Sequence, residues 1–293
     1  MKRIYLILTA VVAMFTTASF AQTPACNWFR AAHAGFWSNE HIDYYHNVES
    51  VVVRKYDVKD HFGELVKYGE PYVATYAFDE RGRLVRNTTI LEGIPSDVIT
   101  YKYDQEGRLI VSKWYESTGK MQETYLYQYD SKGRMVEECC YDSAGVLSFG
   151  SVFIHDDDNG RVTREDYYPS GELVELSGRF VKQYDSEGNL QESNCFESNG
   201  DLLFGTIYRY NSEGKLAEKI HYKPDSAVDE REFFEYDEAG NMTAFYCYDG
   251  KAVLKEKYVY KYDSRGNQVE CIAYKTASLI PLDYVEIEIV YKE

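Results

Sequence analysis

The chain has 293 residues, with 48 acidic side chains against 32 basic ones and a formal net charge of −16. That balance repels phosphate backbones and no dense basic patch offsets it, so nucleic-acid binding is excluded from the expectations. Twenty-nine tyrosines beside six prolines fit an all-β repeat protein and exclude a disordered chain.

From the N-terminus, residues 1–21 read as a secretory signal peptide. Lys2 and Arg3 form a charged start, residues 4–15 are apolar, and Ser19-Phe20-Ala21 is a small-x-small cleavage site. The expected location is therefore secreted or periplasmic, at the cell envelope, with a lipid anchor on Cys26 as the alternative. No later stretch is long and apolar enough for a membrane helix, so no transmembrane segment is expected after cleavage. Residues 22–47 belong to no repeat. They carry Trp28, Phe29, Phe36, Trp37, Tyr44 and Tyr45 and are expected to cap the first strand. His33, His41 and His46 also lie there, without HExxH or paired-cysteine spacing, and no metal is expected.

The repeat array is expected over residues 48–293. Residues 48–56 read as the return strand of a degenerate first repeat, and residues 57–69 as its long loop. The regular unit is best seen in Tyr127-Gln128-Tyr129-Asp130-Ser131-Lys132-Gly133-Arg134-Met135. Its turn residues recur as Asp79 and Gly82, Asp104 and Gly107, Asp130 and Gly133, Asp157 and Gly160. They continue as Asp185 and Gly188, Asn211 and Gly214, Asp237 and Gly240, and Asp263 and Gly266. The glycines step by 25 to 28 residues, a period that marks a repeat architecture.

Each Asx side chain accepts backbone N–H bonds and starts a type I turn, and the glycine three residues on supplies the positive φ that closes it. The flanks alternate as strands do, which predicts a hairpin with Tyr127, Tyr129 and Met135 on one face. Eight residues after the turn glycine comes a second aromatic: Tyr115, Tyr141, Tyr168, Phe196, Tyr222, Tyr248 or Tyr274. Simple alternation places these on the same face and Trp114 on the opposite one. A second, looser turn follows each. At the end, residues 284–291 alternate cleanly, and their glutamates read as guards against edge pairing.

No nucleophile elbow, phosphate-binding loop, dinucleotide fingerprint or zincin motif occurs, so no catalytic residue and no cofactor are expected. Six cysteines in a secreted chain ordinarily imply disulfides. Here Cys140, Cys195 and Cys247 sit two repeats apart, roughly 19 Å at ~4.8 Å per strand, beyond a ~7 Å bridging limit. Mostly free, packed thiols are expected.

The Tyr-x-Tyr-Asp-x-x-Gly-Arg-Leu unit resembles the YD repeat of the RHS family, most closely over residues 101–109 and 127–135. It is similar to the short secreted YD-repeat proteins of gut Bacteroidetes, and its two-strand period to MORN-type hairpin arrays. The resemblance implies a β-rich, extracytoplasmic, non-enzymatic array. The expected fold is all-β: an elongated antiparallel meander of about eight two-strand repeats in an open, twisted, single-layer sheet. The expected function is a secreted or envelope-associated scaffold for an unknown protein or glycan partner. The alternatives are a dedicated carbohydrate-binding protein, with Trp114 as the candidate binding residue, and a fragment of an RHS-type toxin or immunity system.

Overall fold

The computed structural model describes residues 47–91, 93–170, 173–275 and 280–292. The expected signal peptide, the 22–46 part of the expected cap, and Cys26 lie outside the described residues. Among the described residues eighteen strands follow one another. They are β1 (Val48–His61), β2 (Glu64–Phe78), β3 (Leu84–Leu91), β4 (Ile94–Tyr103), β5 (Leu109–Glu116) and β6 (Met121–Tyr129). Next come β7 (Met135–Asp142), β8 (Leu147–Asp156), β9 (Arg161–Ser170), β10 (Leu173–Tyr184), β11 (Leu190–Glu197) and β12 (Leu202–Tyr210). The last six are β13 (Leu216–Tyr222), β14 (Val228–Tyr236), β15 (Met242–Asp249), β16 (Leu254–Tyr262), β17 (Gln268–Lys275) and β18 (Ile280–Tyr291).

Each strand pairs antiparallel with the next, and β18 pairs with β1, so the meander closes on itself. The expected open sheet is thereby corrected to a closed barrel. The seam runs from Val48↔Tyr291 to Asp57↔Asp283. The glutamates read as edge guards are seam partners instead: Glu288 meets Arg54 at 2.9 Å, and Glu286 meets Lys67. A strand at an open edge leaves a row of backbone groups unpaired, and closure removes that row altogether. Residues 57–69, expected as a loop, are mostly strand and form the outer part of the β1–β2 hairpin.

One rim carries the Asx-Gly turns. In the turn after β6, Asp130 N–H donates to the Arg134 carbonyl and Gly133 N–H to the Asp130 carbonyl, both near 3.0 Å. The Asp130 carboxylate also accepts from the Lys132 and Arg134 N–H groups at 2.9 Å. Gly133 sits at φ 78, a conformation costly to a side chain. The turn at Asp157 differs. Its carboxylate is held by Lys132 (3.0 Å) and Arg134 (2.6 Å) of the preceding turn, and its closing bond to Gly160 lengthens to 3.4 Å. The far rim repeats the same backbone turn: Asp142 N–H donates to Val146 and Gly145 N–H to Asp142. The second turn after β15 uses Ala252 (φ 62), not Gly250, at the left-handed position.

The repeat tyrosines join neighbouring units. The β3–β4 ladder ends at Arg86↔Thr100, so the Leu84 carbonyl lies beyond its last rung. Tyr103 donates its hydroxyl to that carbonyl at 2.7 Å, and Arg83 lies over its ring at 4.7 Å. The same rung recurs from Tyr129 to Leu109, Tyr210 to Leu190, Tyr236 to Leu216 and Tyr262 to Met242. At the seam Tyr291 takes the tyrosine's place, beneath Arg265 and bonded to Asn267 and Asp263.

Candidate ligand-binding lumen

Which side chains point inward depends on one residue per hairpin. Tyr129 pairs with Met135, but Gln128 pairs with Glu137, so Val136 is an extra residue in a bulge. Parity flips there. Tyr125, Tyr127, Tyr129, Met135 and Cys140 share the more buried, concave face, whereas Tyr141 faces outward with Leu126 and Cys139. The same shift follows the turns at Phe78, Tyr103, Tyr184, Tyr210, Tyr236 and Tyr262. Two expectations are corrected by it. Tyr115, Tyr141, Phe196, Tyr222, Tyr248 and Tyr274 stand on the outer wall, and Trp114 points into the barrel. The β8–β9 turn has no such bulge, which leaves Tyr167 outside and Tyr168 inside.

Closed barrels of sixteen to eighteen strands generally enclose a lumen, and here many inward side chains are themselves buried. The lumen has two unlike halves. From β15 through the seam to β3 it is lined by one buried apolar cluster that includes Val51, Phe78, Met242, Phe245, Tyr260 and Ile287. Around β5 to β14 polar side chains stand among aromatic rings such as Tyr125, Phe149 and Tyr168. Trp114 donates its indole N–H to Asp97 at 2.9 Å, and Asp97 also accepts from the Ser96 hydroxyl. Glu123 stands opposite Trp114 in register, and Ser112 opposite Tyr125. The Ser112 hydroxyl lies 3.1 Å from that of Tyr127. Further round, Arg164 makes two 2.7 Å bonds to Asp166, which also accepts from Ser151.

On β12, β13 and β14, Thr206, His221 and Glu232 form a hydroxyl–imidazole–carboxylate line. Thr206 Oγ1 is 2.9 Å from His221 Nδ1, and His221 Nε2 is 3.0 Å from Glu232 Oε1. Lys219 approaches the other carboxylate oxygen at 3.6 Å. Sequence reading missed this group, because simple alternation did not place Thr206, His221 and Glu232 together on the inner face. The line looks like a catalytic relay, but Thr206 is only 6% exposed, and a nucleophile must be reachable by its substrate. Glu232 is fully buried, held between two cationic or hydrogen-bonding neighbours. The group ties three strands together.

The described cysteines, Cys139, Cys140, Cys195, Cys247 and Cys271, are thiols not joined in disulfides. Burial lifts the Cys140 thiol to about 11, and burial with the Glu137 carboxylate lifts Cys139 to about 12, so neither is a thiolate at neutral pH. No group of three or more metal-ligating side chains occurs among the described residues.

Neither face of the wall is a continuous apolar band. Outward, Lys113, Glu165, Arg179, Arg231 and Lys257 sit well inside their strands. Arg179 pairs with Glu165 at 2.7 Å, and Arg231 with Glu218 at 3.1 Å. Inward lie Lys219, Arg164 and Glu232. A lysine or arginine against hydrocarbon at mid-membrane costs about 2–4 kcal/mol each, so this wall is unlike a lipid-facing one.

No family model matches the chain, and no curated protein matches it. Among solved structures it is similar to a porin-like protein from Bacteroides uniformis, with 13% identity over 84% of this chain and 98% of that one and a TM-score of 0.41. It is also similar to a chain of the Photorhabdus luminescens Tc holotoxin pore. The identity there is 12% over 72% of this chain and only 19% of that one, with a TM-score of 0.17. A Bacteroides fragilis protein of unknown function shares 13% identity over 62% of this chain and 94% of that one, TM-score 0.17. At such scores the likenesses carry no argument about activity.

Proposed function

We propose that this chain is a non-enzymatic, envelope-associated YD-repeat barrel, with water on both sides of its wall, that binds a glycan along the polar half of its lumen. The observation that carries this reading is the inward placement of Trp114 beside Asp97, opposite Glu123 and within the same inner face as Tyr125 and Ser112. A sugar presents C–H faces that stack on an indole and hydroxyls that donate to carboxylates, so an aromatic plane flanked by acids matches both. The charged outer wall supports the aqueous setting, and the signal-like residues 1–21 support the envelope. The buried Thr206 hydroxyl supports a binding protein over a hydrolase.

A glycan array probed with the wild type and Trp114→Ala tests the proposal. The expected result is a defined set of oligosaccharides bound by the wild type and weakened at least tenfold by the substitution. Absence of binding by the wild type, or equal binding by both proteins, overturns it.

A further inference from the structure

The β1–β2 hairpin reaches beyond the barrel. β18 follows β1 only to Asp57↔Asp283, and β3 joins β2 only from Val73↔Ile90, so among the described residues no strand pairs with either edge of the hairpin beyond those positions. Its Lys67 bonds Glu286 and lies over the Tyr56 and Tyr284 rings of the outer wall at 4.5 and 4.3 Å. At its tip Phe62 is 97% exposed and holds a left-handed φ of 56, followed by Gly63 at φ 89. Both residues of such a two-residue turn need positive φ, and asparagine-glycine is the usual solution. A bulky aromatic at that position is strained, and strain kept at an exposed tip points to function.

The tip does not stand alone. Leu65, Val66 and Tyr68 on the hairpin, and Leu91 and Ile94 on the neighbouring turn, are exposed large apolar side chains on the same rim. Around them stand four acids, Asp57, Asp60, Glu64 and Glu70, all on the hairpin, against Lys59, while Lys67 is taken up by the outer wall. In a two-residue hairpin the pair beside the turn, His61 and Glu64, is the hydrogen-bonded one. The backbone groups of Asp60 and Leu65 then face outward, open to a further strand.

We propose that this hairpin is a docking edge for an extended, basic polypeptide segment of a partner protein. The segment adds as a strand along that edge, sets its apolar side chains on one face beside Leu65, and on the other face places lysines or arginines against Glu64 and Glu70 with their stems across Val66 and Tyr68. Phe62 is the anchor at its end. Free strand edges select a polypeptide over a lipid surface, and the acidic surround selects a basic segment over a second copy of this acidic chain. The inference stands on the hairpin and is independent of the lumen reading.

Fluorescence anisotropy with two ten-residue peptides, valine alternating with lysine and valine alternating with glutamate, tests it on the full chain. The lysine peptide binds, the glutamate peptide does not, and Phe62→Asn weakens binding at least tenfold while its melting temperature stays level or rises. The pair Glu64→Lys and Glu70→Lys, made together, reverses the peptide preference. Equal affinity for both peptides, or wild-type affinity in Phe62→Asn, overturns the proposal. So does Phe62-dependent sedimentation with phosphatidylglycerol vesicles, or Phe62-dependent dimerisation, without lysine-peptide binding.

Discussion

The two halves of the lumen solve different problems. Where the first and last strands meet, the inner face is a dense apolar cluster, with Val51, Phe78, Met242 and Ile287 all buried. On the far side the inner face mixes aromatic rings with hydroxyl, carboxylate and guanidinium groups. Joining β1 to β18 brings together residues about 230 apart in the chain (Arg54 and Glu288 are 234 apart), and closing so long a loop costs entropy that local turns do not. Apolar burial is concentrated at the seam, where that cost falls. The half built from local hairpins is left free to carry polar groups.

That contrast breaks most readily by truncation. Met242→Ala should destabilise the barrel by about 2–5 kcal/mol in urea unfolding, as a large buried side chain does when it leaves a cavity. Leu190→Ala, half-buried in the polar half, should cost about 1–2 kcal/mol on the area argument. Equal losses would contradict the asymmetry. Glu232→Ala should cost about 2–3 kcal/mol at pH 7, because it strips the carboxylate from Lys219 and His221, neither of which is more than a third exposed.

Tyr129→Phe and Tyr262→Phe sharpen the comparison from the other side. Each removes a hydroxyl-to-carbonyl bond, at 2.9 and 2.8 Å, and each should cost about 1 kcal/mol whichever half it lies in. The smallest effect per group belongs to acid. At Asp130, burial pushes the carboxyl up, but backbone and side-chain bonds from Arg134 with its charge outweigh it and hold the group below its ordinary value. At Asp185 the backbone bond from Asn189 leads the same lowering. A carboxyl lowered on folding stabilises above its unfolded value and loses that contribution as pH falls through the folded one. Urea midpoints should hold from pH 7 to about 4.5 and fall below about 4. The alkaline limit has the opposite origin: burial raises Tyr103 to about 12 from 10.0, so its contribution is full below pH 10 and fades above it.

Strands and turns were legible in the sequence because they are local: an Asx, a glycine three residues on, and alternating flanks state a hairpin within nine residues. The inner and outer faces were not, because each bulge inverts the parity that alternation assumes. A signal was present. Met135-Val136, Leu84-Val85 and Leu109-Ile110 set two apolar residues side by side where strict alternation wants one, which is how an extra residue in a strand reads. Closure was also hidden, since Glu286 and Glu288 look the same as edge guards or as partners. Arg54, Lys55 and Lys67 near the other end of the chain were the complementary half of that message.

Closure is tested most directly at Val52↔Glu288, a register pair across the seam. With Val52→Cys and Glu288→Cys, oxidation followed by peptide mapping reads whether the two ends touch. Paired residues in an antiparallel sheet lie about 4.5–5.5 Å apart at Cα, within bridging reach, whereas the edges of a flat eighteen-strand sheet stand ~80 Å apart. A 52–288 bridge within the monomer is the predicted result; a monomer that never forms it under the same oxidation would contradict the barrel.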